Sequence, residues 1–265
     1  MAKKVLTYNL SQPLGEATTA KVDIDVRDGN LKIDRLSGGE PLLASGTLQY
    51  LENQKLATHS VNTSNGQVTL TLRASGRGQP WFHLPWQAGS GATEWQIHLN
   101  PNVQSEIVAH SRGGNVSLNL AGMAITSVSA DTGGGNMDLV LPDNATNLNV
   151  TARTGAGSAT VEIGNDTTGS NTVNASSGAG NVVIHVPSVI AARVHATSGL
   201  GKVIVDSQFN KIDDHTYQSP GYDGAADKVE ITAKSGAGNV SVNTNRSRRR
   251  SARTDEENLG LRRTS

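Results

Sequence analysis

The chain has no cysteine, which excludes disulfides and cysteine-ligated metals and gives no sign of an oxidising compartment. Phe, Trp and Tyr make up only 3% of its residues, so any core must be built from small and β-branched side chains. No segment approaches the ~18 apolar residues of a membrane-spanning helix. The apolar run after Lys3 and Lys4 is too short for a secretory signal. Cytoplasmic residence is the expectation. The formal net charge is +0, and nucleic acid is not among the partners expected.

Glycine, in contrast, is abundant, and its placement is regular. Six copies of one pattern run from Ser105 to Thr244, among them SVSADTGGGNMDLVL and NTVNASSGAGNVVIHV. Aligned, the first column is β-branched: Ile107, Val128, Val150, Val173, Val194 and Ile231. Two residues on stands alanine in every copy: Ala109, Ala130, Ala152, Ala175, Ala196 and Ala233. Next comes a hydroxyl column: Ser111, Thr132, Thr154, Ser177, Ser198 and Ser235. Each copy then turns at Gly114, Gly135, Gly157, Gly180, Gly201 or Gly238. The following residue is Asn115, Asn136, Ser158, Asn181, Lys202 or Asn239.

Alternating apolar residues on both sides of the glycine predict strand, tight corner, strand, with one face buried. The corner glycines are expected to supply positive φ. Uniform columns imply rungs stacked roughly 4.8 Å apart, with the three columns pointing inward and the asparagines forming an amide ladder. The fold class that follows is all-β, a single elongated β-solenoid in which no rung buries its apolar face alone. It is expected over residues 1–245, with regular repeats at 105–245 and degenerate ones at 20–100. In the degenerate half, Val22, Ile24, Gly29 and Asn30 fit the frame, as do Val61, Thr63, Gly66 and Val68. Spacings of 21, 22, 23, 21 and 37 residues between successive regular corners place an insertion between the fifth and sixth.

Two segments break the pattern. Residues 246–265 hold seven arginines against Asp255, Glu256 and Glu257, a net +4 that leaves −4 on the rest of the chain. This tail is expected to be disordered, with Arg248, Arg249 and Arg250 as electrostatic contacts for an anionic surface such as a membrane, or as a solubilising edge. Residues 75–95 hold all three tryptophans. Trp95 begins an alternating strand and reads as core, whereas Trp81, Phe82 and Trp86 are the candidate partner-binding residues, the alternative being a hydrophobic plug.

No catalytic residue, cofactor or metal is expected. Asp213, Asp214, His215, Asp223 and Asp227 all fall in the one insertion, where acidic turn residues are ordinary. The position that carries aspartate in calcium-binding β-rolls is apolar in every copy, from Val116 to Val240. His185 and His195 are the one pair expected to lie on adjacent strands facing outward.

The repeated Ser/Thr-x-Gly-x-Gly-Asn-Val corner, and the closing stretch from Tyr217 through Tyr222 to SGAGNVSV, resemble the toastrack family of bacterial β-repeat proteins. That family is also described as adhesin-like, and includes LiaF-like proteins of the cell-wall stress response. The resemblance implies a β-solenoid used in envelope-stress sensing, scaffolding or adhesion. It implies a protein partner or self-association, with peripheral membrane contact, and brings no catalytic residues. A carbohydrate-binding or carbohydrate-processing β-helix acting on envelope glycans is the alternative.

Overall fold

The computed structural model describes residues 4–27, 29–38, 41–52, 56–74 and 93–245. They form two facing sheets, one of ten strands (front) and one of eleven (back). The regular repeats place one strand in each. β8 (Gln104–Ser111), β10 (Ile125–Thr132), β12 (Asn149–Thr154) and β14 (Ser170–Ser177) lie side by side in the back sheet. Their continuations β9 (Val116–Asn119), β11 (Met137–Val140), β13 (Ala159–Glu162) and β15 (Val182–Pro187) do so in the front sheet. Pairing is parallel and in register, so Val128 meets Val150 and Ala130 meets Ala152. Like residues stack on like, as the columns require. The β-branched and alanine columns are fully buried, and so is the hydroxyl column apart from the half-buried Ser198.

The hydroxyl column explains the corners. Thr154 Oγ1 donates to the Gly135 carbonyl of the preceding rung (2.8 Å) and accepts the Gly157 N–H of its own corner (3.1 Å). Ser177 does the same with Gly157 and Gly180, at 2.7 Å each. Each buried hydroxyl thus satisfies two backbone groups that no ladder bond reaches, worth roughly 0.5–1.5 kcal/mol per bond. The corner glycines do not have positive φ, contrary to expectation. They are glycine because rungs approach closely: a Cβ on Gly157 would lie 2.0 Å from the Gly135 oxygen, and one on Gly135 2.0 Å from that of Gly114.

The asparagine column forms a ladder, but from side chain to backbone rather than amide to amide. Asn30 Oδ1 accepts Asn115 N–H, Asn115 Oδ1 accepts Asn136 N–H, and Asn136 Oδ1 accepts Ser158 N–H, each at 2.9 Å. Ser158 Oγ carries the ladder on to Asn181 at 3.3 Å.

The rungs do not stack in chain order at either end. β16 (Ala191–Ser198) and β17 (Val203–Val205) form the outermost rung. The last repeat, β20 (Lys228–Ser235) and β21 (Val240–Asn245), inserts between them and β14–β15. The ladder therefore runs from Asn181 to Asn239 and ends at Lys202, whose N–H binds Asn239 Oδ1 (2.9 Å). Lysine offers no acceptor, and at the end of the stack none is needed.

At the other end β2 (Thr19–Val26) and β3 (Gly29–Arg35) pack on β8 and β9. The later strands β6 (Gln67–Ala74) and β7 (Thr93–Leu99) lie outside them. Antiparallel strands finish this end: β4 (Leu42–Leu51) and β1 (Val5–Pro13) beside β7, and β5 (Leu56–Ser64) beside β6. Gly66 is consequently no rung corner. Asn65 (φ 51°) and Gly66 (φ 76°) make the tight turn of the β5–β6 hairpin, for which Asn-Gly is the favoured pair. Val61 faces out accordingly, 36% exposed.

Close approach at the corner yields a paired prediction. Gly135→Ala should lower stability by roughly 2–3 kcal/mol through overpacking against a carbonyl. Gly134→Ala, whose Cβ would have 4.0 Å of clearance, should shift it by less than about 0.5 kcal/mol. Urea unfolding midpoints of the two variants decide the matter.

Candidate contact surface

The insertion, residues 206–227, closes the C-terminal end of the stack. At its start Asp206 accepts Thr244 Oγ1–H at 2.6 Å and the Gln208 N–H at 3.0 Å. These bonds, the Thr244 hydroxyl first, hold its carboxyl below the usual range. Phe209 turns inward and is buried. A hairpin of β18 (Asn210–Lys211) and β19 (Thr216–Gln218) then extends the back sheet beyond β16. Its turn is held by Asp213 Oδ1, which accepts the N–H groups of His215 and Thr216 at 2.8 Å each. The Asp213 pKa is lowered, the His215 N–H contributing most. β19 sets Tyr217 opposite Val194, continuing the apolar column.

A clasp on the back sheet anchors the rest of the insertion. Gly221, at φ 77°, opens a short 3-10 turn over Tyr222–Gly224. Tyr222 is 3% exposed, with the Arg193 guanidinium carbon 4.4 Å from its ring centroid and Lys228 Nζ at 5.2 Å. Its hydroxyl donates to Glu230. Arg193 also donates to Gln218 Oε1 through Nε (2.9 Å) and to Asp223 (3.1 Å). Burial, followed by the Glu230 contact, pushes the Tyr222 phenol up to about 12.

The acidic residues of the insertion do not converge. Asp213 caps its turn, Asp214 pairs with Lys211 (3.2 Å), Asp223 with Arg193, and Asp227 accepts the Gly169 N–H (2.7 Å). Each carboxylate is taken up in building a loop. His185 and His195 do not meet either, since β15 and β16 lie in different sheets. His195 instead packs edge-on against His215, ring centroids 6.0 Å apart. Among the described residues no group of three His, Cys, Asp or Glu is arranged to hold a metal ion. Trp95 is core, 1% exposed, its indole N–H donated to the Gln49 carbonyl at 2.9 Å. Trp81, Phe82, Trp86, Arg248, Arg249 and Arg250 lie outside the described residues.

What the end of the stack exposes is apolar. Among the described residues β17 has a strand on one side only. Val240 N–H bonds Lys202 O and Asp206 N–H bonds Val242 O, each at 2.9 Å, so strand alternation turns the N–H and C=O groups of Val203 and Val205 outward. Leu200, in the outermost corner, is 85% exposed and Ile204 53%. Alanine or glycine stands at the equivalent of Leu200 in every other regular rung: Gly113, Gly134, Ala156, Ala179 and Ala237. At the foot of the same end lies a cleft of about 550 Å³ between the 187–191 bend, Phe209 and the 219–221 bend. These features escaped the sequence reading, which assigned Leu200 to an ordinary corner.

The clasp has a signature in pH. A phenol whose folded pKa is raised stabilises the fold fully below the ordinary tyrosine value of about 10, and this contribution is lost as pH rises through about 12. Ultraviolet titration of the intact chain should show one tyrosine ionising about two units late, and Tyr222→Phe should delete that component. Loss of a component near 10 instead would contradict the clasp.

Comparison with known proteins fits this architecture. The model of the family described as the N-terminal domain of toast_rack, DUF2154, matches residues 1–162. A candidate cell adhesion protein from Clostridium sporogenes is similar in structure, with a TM-score of 0.65 at 17% identity, covering 91% of this chain and 100% of that one. A candidate adhesin from Bacteroides fragilis aligns at a TM-score of 0.31 and 11% identity over 91% of this chain and 98% of its own. No curated protein matches the chain. The first of these structures shares the stacked two-sheet fold, and the family model covers more than half of the sequence: the chain belongs to the toast_rack family.

Proposed function

We propose that this protein is a non-catalytic, adhesin-like interaction module: a β-solenoid scaffold that presents its C-terminal end to a protein partner or to a second copy. The observation that carries this reading is the open edge of β17 beside the exposed Leu200 and Ile204. Native sheets usually blunt such edges. Here only Lys202 and Asp206 flank the strand, and an extended segment can add to it through main-chain hydrogen bonds. A role in a bacterial envelope-stress response, peripheral to the membrane, follows from the sequence resemblance, and cytoplasmic residence is the expectation from the sequence; both are part of the proposal.

A second reading, binding of envelope glycans, draws on the outer face of the back sheet. There Thr172, Asn149 and Ser127 form one row across the strands, and Thr232, Asn174, Thr151 and Ser129 another. No described residue occupies their side-chain polar groups. No residue of these two rows is aromatic, so the rows themselves offer no platform for sugar stacking, which favours the first reading.

Co-sedimentation with isolated bacterial envelopes separates the two. The intact chain should bind, and Leu200→Asp/Ile204→Asp should weaken binding about tenfold or more, as truncated contact centres do. Thr151→Ala/Asn174→Ala should bind like the parent. The opposite pattern would favour the glycan reading, and no binding by the intact chain would eliminate that reading together with any envelope-borne partner.

A further inference from the structure

The cleft at the foot of the outer rungs has an apolar floor and is walled in part by the acidic insertion. Phe209, Pro187, Val189, Ile190 and Pro220 line it, and Val189 is 70% exposed. Much of its polar lining is already engaged. Gln208 Nε2 donates to Thr244 Oγ1 (2.9 Å), Thr244 Oγ1 donates to Asp206, and Ser219 Oγ accepts the Ala192 N–H (2.8 Å). No charged side chain lines the cleft. Its chemistry suits aliphatic side chains and offers a polar ligand little. The insertion that walls it, residues 206–227, carries five aspartates against Lys211, a net −4 equal to the whole excess of acid over base before residue 246; Asp206 and Asp223 stand two residues from its lining, and Asp213 and Asp214 lie at the hairpin turn beside Ala196. The side chains of Asp214 and Asp223 remain 91% and 80% exposed despite their ion pairs.

The complementary chemistry lies on the same chain. Thr244 lines the cleft, and two residues further on begins the segment 246–265, with a net +4 and only two large apolar residues, Leu259 and Leu261. Their spacing, i and i+2, is the one that places two side chains on the same side of any extended backbone. Leu259 lies 14 residues beyond Asn245, a reach of up to roughly 45 Å. Tethering gives the segment an effective concentration on the order of millimolar at the cleft, so two aliphatic contacts and a screened charge attraction suffice to hold it.

We propose that residues 246–265 dock on the C-terminal end of their own chain, Leu259 and Leu261 entering the cleft while the arginines face the aspartates of 206–227. Charge steers the segment and the leucines fix it. The open β17 edge belongs to the same end of the stack, so the docked segment would share that end with any partner. The docking itself does not depend on such a partner.

The absence of cysteine makes the test clean: a nitroxide can be placed at Ser265→Cys of the full chain. Amide resonances of Val189, Ile190, Phe209, Gly221 and Ala225 should broaden, while those of β5 should not. Leu259→Ser/Leu261→Ser in the labelled chain should abolish the selective broadening, and roughly 1 M salt, where the Debye length is about 3 Å, should reduce it. Broadening no greater at the cleft than at β5, or unaffected by the double substitution, would overturn the proposal. So would selective broadening in an equal mixture of nitroxide-labelled chain with unlabelled, nitrogen-15-enriched chain, which would assign the contact to a second copy.

Discussion

The stack depends on a hydrogen bond between a buried hydroxyl and the corner carbonyl of the rung before it. Ser111 donates to Gly29, Thr132 to Gly114, Thr154 to Gly135, Ser177 to Gly157, Ser235 to Gly180 and Ser198 to Gly238. The bond brings successive corners so close that a Cβ on the corner residue would overlap the preceding carbonyl. Glycine is thereby required, and the alanine column beside it fills what little width remains. With rungs locked at the corner, the Val, Ile and Leu columns of the regular rungs fall into register and bury with no aromatic residue in the columns.

A lattice of this kind has to be stopped, and the two ends do so differently. At the N-terminal end antiparallel strands add to both sheets, β4 and β1 to one and β5 to the other. At the C-terminal end the β18–β19 hairpin extends the back sheet alone, and the front sheet ends at the bare edge of β17. Interaction chemistry collects where the stack stops: exposed Leu200 and Ile204, an apolar cleft, and an acidic loop region. The Tyr222 clasp pins this assembly to Arg193 and Glu230, residues of the two outermost back-sheet rungs.

Much of the fold was legible because a stacked column allows few residue types. Val128, Ala130 and Thr132 recur in kind at Val150, Ala152 and Thr154, and the structure pairs them as the columns imply. Rung order was not legible, because the fifth and sixth repeats are nearly interchangeable in their inward residues. One signal did distinguish them: Lys202 cannot pass on an acceptor ladder, so its rung belongs at the end. Gly66 was misassigned because a hairpin glycine and a corner glycine look alike when both follow a β-branched run; the preceding Asn65 marked the hairpin. The reason for glycine at the corners was also misread, since close approach between rungs leaves no local trace in the chain. The contact surface was hidden for the same reason. Leu200 gains meaning only from being last, and the clasp joins Arg193 to residues about thirty positions away.

The stack rests on the hydroxyl column, and Thr154→Val tests this most directly, since valine keeps the shape and removes only the hydroxyl. The Gly135 carbonyl and the Gly157 N–H would both lose their partner in a buried corner. Denaturant unfolding of the full chain should then show a loss of roughly 2–6 kcal/mol, about 1–3 for each of the two groups left unsatisfied. A variant within about 0.5 kcal/mol of the parent would show that apolar packing alone sets the stack, and would contradict the account.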